Sequence, residues 1–214
     1  MLNVQRDVIE FPIEGEIDAG GWDLRKALLL ALKGNAAILE WVKSPYVYEE
    51  RPGIRSALLA VLDEIVEPAL VAKHYLGLLK RHDLAFSDGD IRIKKLFYAI
   101  RPALSLHYME ERDFQAHPPM DIGSLLAGVA LKQDLVDLIA ALIETKKITR
   151  EMGTGPVPSL LADYLKEALR RYEAGAGAFG LSGKSRSVDR FQAAEAFYRA
   201  TVMAVSSGQA AVSA

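Results

Sequence analysis

The chain has 214 residues, half of them hydrophobic and a quarter charged, with a formal net charge of −2. That length can bury a sizeable core, and the near-neutral balance gives no global electrostatic case for a nucleic-acid or membrane partner, leaving only local basic patches. No cysteine is present, which excludes disulfides and thiolate metal sites, and the four histidines (His74, His82, His107 and His117) form no compact ligand cluster.

The opening "MLNVQRDVIEF" lacks the apolar run of a secretory leader. No stretch approaches the roughly 18 uninterrupted apolar residues of a spanning helix. The expectation is a cytoplasmic protein with no membrane partner.

In "DVIEFPI", Ile9, Phe11 and Ile13 recur at every second position, the pattern of a strand with one buried face. Pro12 cannot donate to a ladder, so this strand ends there or lies at an edge. "EGEID" reads as a second extended piece, or as the far arm of a hairpin turning at Gly15. Asp18 follows, then Gly20 and Gly21 as a turn, and a helix-forming stretch begins at Trp22 and Asp23. Leu24, Leu28 and Leu32 mark its face and Gly34 its stop. Asn35 caps a second helix, "AAILEWVK", which ends before Ser44 and Pro45. "YVYEERPG" is a loop or short strand.

From Gly53 onward the periodicity is helical almost throughout. "IRSALLAVLDEIV", "ALVAKHYLGLLKRH", "IRIKKLFYAIRPALSLHYMEER", "IGSLLAGVALKQDLVDLIAALIETKK" and "PSLLADYLKEALRRYEA" each predict a helix. Pro68, Asp88-Gly89, Pro118-Pro119 and Gly153-Thr154-Gly155-Pro156 break them. Asp90 reads as the cap of a helix starting near Ile91. "GAGAFGLSGKSRS" is a Gly/Ser-rich linker. A last helix, "VDRFQAAEAFYRATVMAV", precedes the polar tail "SSGQAAVSA". The fold class is therefore α+β, mostly α. The predicted organisation is a small strand-containing segment at 1–52, a helical domain at 53–174, a linker at 175–187 and a C-terminal helix with its tail at 188–214.

Asp18 is open to two readings, a metal ligand at the end of a strand or a turn acid. In "IRIKKLFYAIRPALSLHY", Ile93, Leu96, Phe97, Ile100 and Leu104 form an apolar stripe. Lys94, Tyr98, Arg101 and Ser105 form a polar stripe on the other side, with Lys95 beside it, and Pro102 predicts a kink. Lys94, Lys95 and Arg101 make either a solvated basic face or a phosphate-binding one, since cationic donors stabilise phosphate charge. Trp22, Trp41 and Tyr46 read as packing residues rather than base-stacking ones, and His74 as a core or boundary histidine. "AFGLSGKS" misses the P-loop pattern at Ala178 and has a charged helix before it, so it is rejected as one.

"RDVIEFPIEGEIDAGGWDLRKALLLALKGNAAILEWVKSPYVY", "HYLGLLKR" and "RIKKLFYAIRPAL" resemble the predicted nucleotidyltransferase family of the DNA polymerase beta superfamily, the type linked to RNA repair. The likeness runs from about Arg6 to about Leu165, with the helix after Ser187 outside it. The resemblance implies transfer of a nucleotide from a nucleoside triphosphate by a Gly-Ser turn, a pair of acids and a third acid holding Mg²⁺, a hard cation that prefers oxygen ligands. It puts the third acid at Asp18, and it favours triphosphate binding at Lys94, Lys95 and Arg101. The acceptor stays open among RNA ends, a protein side chain and a small molecule.

The Gly-Ser turn and paired acids belong before Asp18, and the seventeen residues there contain neither. Asp88-Gly89-Asp90 and Gly123-Ser124 come after it, the wrong order. The expectation is a family member without that segment and inactive by itself. The alternative is a non-catalytic interaction module that pairs with a partner chain, or with itself, through an exposed strand edge at the N-terminus.

Overall fold

The computed structural model describes residues 8–82, 90–148, 153–176, 179 and 187–206. These fall into two compact units, one within residues 1–67 and 184–214 and the other within residues 68–183. The described residues are mostly helical with a few three-residue strands, the expected α+β, mostly α class.

The first unit opens with a hairpin. β1 (Val8–Glu10) pairs antiparallel with β2 (Gly20–Trp22), setting Val8 against Trp22 and Glu10 against Gly20. Gly20 and Gly21 are thus strand residues, not the turn that the sequence predicts. The turn lies earlier, where Gly15 adopts φ +63° between the bridged residues Glu14 and Ile17. A left-handed φ is open to glycine without a steric penalty.

α1 (Leu24–Leu32) starts at Asp23, whose carboxylate accepts from the Lys26 amide at 2.7 Å. It ends where Gly34 turns left-handed at φ +75° and donates to the Ala31 carbonyl. α2 (Ala36–Val42) is capped by the Asn35 side chain, as its sequence predicts. α3 (Ile54–Ile65) follows Gly53. α9 (Ser187–Ser206) returns to pack on α1 and α3. Their shared core includes Leu28, Ala31, Leu62 and Ile65.

The second unit is built around α5 (Phe97–Glu110), which buries residues on every side: Ala99, Ile100, Ala103, Leu104, Leu106 and Met109 are fully enclosed. A helix that buries side chains on every side belongs in the middle of a domain. α4 (Pro68–Arg81), α6 (Ile122–Ala127) and α8 (Ser159–Ala174) pack against α5, and α7 (Gln133–Ile148) packs on α8.

Further elements differ from what the sequence predicts. Residues 90–92 are strand β3, paired antiparallel with β4 (Thr154–Pro156), so Asp90 caps no helix and part of an expected breaker is a strand. A 3-10 turn at Ile93–Leu96 then precedes α5. The long helix expected from Ile122 is split into α6 and α7. Gly128 sits at the break, where a Cβ would lie 2.8 Å from Tyr108 Cε2. Phe179, inside the expected linker, is buried with its ring 4.9 Å from that of Phe114. Asp88, Gly89, residues 177–186 apart from Phe179, and the tail after Ser206 lie outside the described residues.

Candidate functional site

In the first unit, hairpin pairing runs without a break as far as the amide of Phe11, which donates to the Ala19 carbonyl at 3.1 Å. It resumes at the Glu14–Ile17 bridge. Pro12 and Ile13 on one arm therefore face Asp18 alone on the other, two residues against one, the count of a β-bulge. Pro12 supplies the reason, since it has no N–H to continue the ladder. Asp18 is exposed on the opposite arm. Among the described residues no group of three His, Asp or Glu side chains converges as a metal site, at Asp18 or elsewhere.

The hairpin does not bury the face predicted for it. Ile9, Phe11, Ile13 and Ile17 are 41%, 60%, 71% and 68% exposed. The alternation is real, but nothing in the described residues covers it. The aromatics nearby divide. Trp22 and Trp41 pack on each other with ring centroids 4.3 Å apart, whereas Tyr46 and Tyr48 stand in solvent. Arg55 holds this loop by donating to the carbonyls of Val42 and Ser44.

The second unit carries the cations. Leu96 is fully buried and anchors the 3-10 turn, and the Ile93 amide donates to the Gly153 carbonyl at 3.2 Å, tying the turn to β4. Lys94 and Lys95 project from the turn into solvent. Along α5, Tyr98, Arg101 and Ser105 follow at spacings of three and four, on one face. That face runs from water into the core: Tyr98 is 56% exposed, Arg101 is half-buried with Nε and Nη2 shielded from solvent, and Ser105 is fully enclosed. The stripe is therefore solvent-facing only at its start. Lys146 of α7 lies with Nζ 4.6 Å from the Phe97 ring centroid. Asp18 belongs to the first unit and the three cations to the second.

The end of α4 adds residues that the sequence reading passed over. Its last turn carries Lys80 and Arg81. Lys80 is paired with Glu173 of α8 at 2.9 Å. His82 stacks on Tyr98, with ring centroids 5.5 Å apart and planes at 23°. Burial, then the charges of Arg81 and Lys95, hold the His82 imidazole below its ordinary pKa. The basic ending "LKRH" of one helix and the "KK" before another were the available signal, but only the fold brings them together.

A second polar cluster joins α5 to α8. Glu110 accepts from Arg171 Nε at 2.9 Å and from the Tyr172 hydroxyl at 2.9 Å. Burial, then Glu110, pushes the Tyr172 hydroxyl well above its usual range. The carboxylate oxygens are taken by protein donors, so this cluster is cross-bracing.

Residues 1–193 match the family described as the RNA repair pathway DNA polymerase beta family. The chain belongs to that family. The match covers the hairpin, both sets of candidate residues and the start of α9, so it reaches further than the Arg6–Leu165 span and includes part of the helix expected to lie outside. The chain is also 30% identical over 171 residues, 79% of its length, to the uncharacterized protein YcgL of Bacillus subtilis strain 168. The alignment spans 65% of that relative's length. No solved structure matches the chain. Among the described residues no helix is long and apolar enough to cross a membrane.

Proposed function

We propose that this chain is the nucleotide-holding part of a nucleotidyltransferase that passes a nucleotide from a nucleoside triphosphate to an acceptor. Family membership over residues 1–193 is the observation that carries this reading. Lys94, Lys95 and Arg101 receive the triphosphate. Lys94 and Lys95 are exposed point charges, suited to meet phosphate oxygens directly. Arg101 sits deeper on the same side and supplies positive potential, which a shielded position screens less than an exposed one. An RNA end is the acceptor that the family's description favours, and the location is cytoplasmic.

Asp18 contributes one oxygen ligand toward Mg²⁺. One exposed carboxylate does not fit that ion by itself, because Mg²⁺ keeps most of its waters unless several carboxylates and phosphates converge on it. The residues of this chain therefore bind and orient the nucleotide, and Asp18 alone does not make the metal site that transfer requires. The test is incubation of the chain with labelled nucleoside triphosphates, Mg²⁺ or Mn²⁺, and RNA or protein acceptors. Binding without transfer is expected. Robust transfer that disappears in Asp18→Ala would contradict this reading and show that Asp18 works in a complete metal site.

The exposed hairpin favours a second reading, an interaction module. β1 and β2 form a sheet of two strands among the described residues, and Ile9, Phe11, Ile13 and Ile17 are uncovered. A strand added at this edge would take up unpaired backbone groups and apolar side chains together. Light scattering over a range of concentrations tests it, and a chain that stays monomeric and captures no partner contradicts it.

A further inference from the structure

The stacked pair His82–Tyr98 has no role in the reading above. Its geometry is specific. His82 closes one side of the Tyr98 ring, while 56% of Tyr98 remains open to solvent. Arg81 ends α4 and directly precedes His82, while Lys94 and Lys95 stand on the 3-10 turn, four and three residues before Tyr98 of α5. Among the described residues none of these three cations is held in an ion pair, unlike Lys80 beside them. A partly open aromatic ring beside cations that no described carboxylate pairs matches a ligand with a flat ring at one end and negative charge at the other. Aromatic stacking with adjacent cations is a general means of holding nucleotides, since every base offers a π-face.

We propose that the open face of Tyr98, backed by His82, stacks the base of a nucleoside triphosphate whose phosphates lie on Lys94 and Lys95. The site rests on the phosphate reading of those lysines and adds to it a seat for the base. His82 acts through Tyr98: it fixes the ring plane and shields its inner side. The low imidazole pKa agrees with this role, because a neutral ring stacks without adding a further positive charge beside Arg81 and Lys95. Stacking reads the π-face and not the base edge, so ATP, GTP and UTP bind within a few-fold of one another.

The test compares ATP with inorganic tripolyphosphate by calorimetry on the 214-residue chain. Tyr98→Ala weakens ATP about tenfold and leaves tripolyphosphate unchanged. Tyr98→Phe, which keeps the ring, binds ATP as the parent does. Tyr98 is mostly exposed, so these variants fold, and the tyrosine signals in NMR confirm the site: the Tyr98 ring protons, assigned by Tyr98→Phe, shift with ATP and not with tripolyphosphate. If Tyr98→Ala weakens both ligands alike, or neither, the base seat is overturned. If the chain binds ATP through Tyr98 but not tripolyphosphate, the base seat stands and the phosphate reading falls. If only single-stranded RNA responds to Tyr98→Ala, the occupant is a strand and the proposal is overturned.

Discussion

Arg190 donates to the Glu67 carboxylate at 2.6 Å and to the Leu32 carbonyl at 2.7 Å. One guanidinium on α9 thereby ties the end of α1 to the segment that follows α3. The Leu32 carbonyl is one of the last-turn oxygens that α1 leaves without a partner inside the helix, and it sits at the negative end of the helix dipole. Arg190→Ala removes both bonds and is expected to destabilise the chain by about 1–3 kcal/mol. Arg190→Lys restores little, because a single ammonium lacks the fork that reaches both acceptors. Thermal unfolding of the two variants measures this. A loss under about 0.5 kcal/mol, the range of an ordinary surface change, would show the tie to be incidental.

Gly128→Ala is expected to cost about 1–3 kcal/mol by overpacking. The new Cβ would meet Tyr108 Cε2 at 2.8 Å and the Ser124 carbonyl at 3.1 Å. Tyr108 has little freedom to yield, since the Arg112 guanidinium lies 3.6 Å from its ring centroid. Urea unfolding reads the effect, and a neutral substitution would mean that the α6–α7 break is tolerant.

Much of the helical fold was legible in the sequence. Asp23, Asn35, Gly34 and Gly53 mark helix boundaries by chemistry that acts within a few residues, and such signals survive without tertiary context. The strands show the limit. β3 and β4 are three residues each and pair across roughly sixty positions, and β4 holds glycine and proline, so neither shows an alternation by itself. Ile9, Phe11 and Ile13 do alternate, but a period states which residues share a face and not whether anything covers it. The stripe Lys94, Tyr98, Arg101 and Ser105 was visible as a pattern. Its descent into the core was not, because depth is set by α4 and α8 packing around α5. His82 was seen only as an isolated histidine, for its partner Tyr98 is contributed by another helix.

His82 gives a pH dependence with a definite sign. Its folded pKa lies below that of a free imidazole, about 6.5, because of burial, Arg81 and Lys95 in that order. The unfolded chain therefore takes up this proton first on acidification. The neutral histidine's contribution to stability is whole above about pH 6.5 and is lost as the pH falls toward the lower folded value. An NMR titration should place the His82 midpoint below that of a free histidine, and Lys95→Ala should move it up. A midpoint above the free value would mean that a carboxylate faces the ring.

Phe11→Ser and Ile13→Ser should leave stability within about 0.5 kcal/mol of the parent, since both side chains are already mostly in water. If the hairpin pairs with another chain, the same changes weaken that association. Denaturation and light scattering on the same samples separate the two effects. A large loss of stability in the isolated chain would mean that the hairpin is covered after all.

The central claim, that Lys94, Lys95 and Arg101 hold a nucleoside triphosphate, is tested most directly by titrating ATP into the chain at two salt concentrations, beside Lys94→Ala/Lys95→Ala. Both lysines are exposed, so the double variant keeps the fold. Saturable binding is expected, weakening with added salt and falling about tenfold or more in the double variant. Binding that ignores both salt and the loss of the two lysines would contradict the claim.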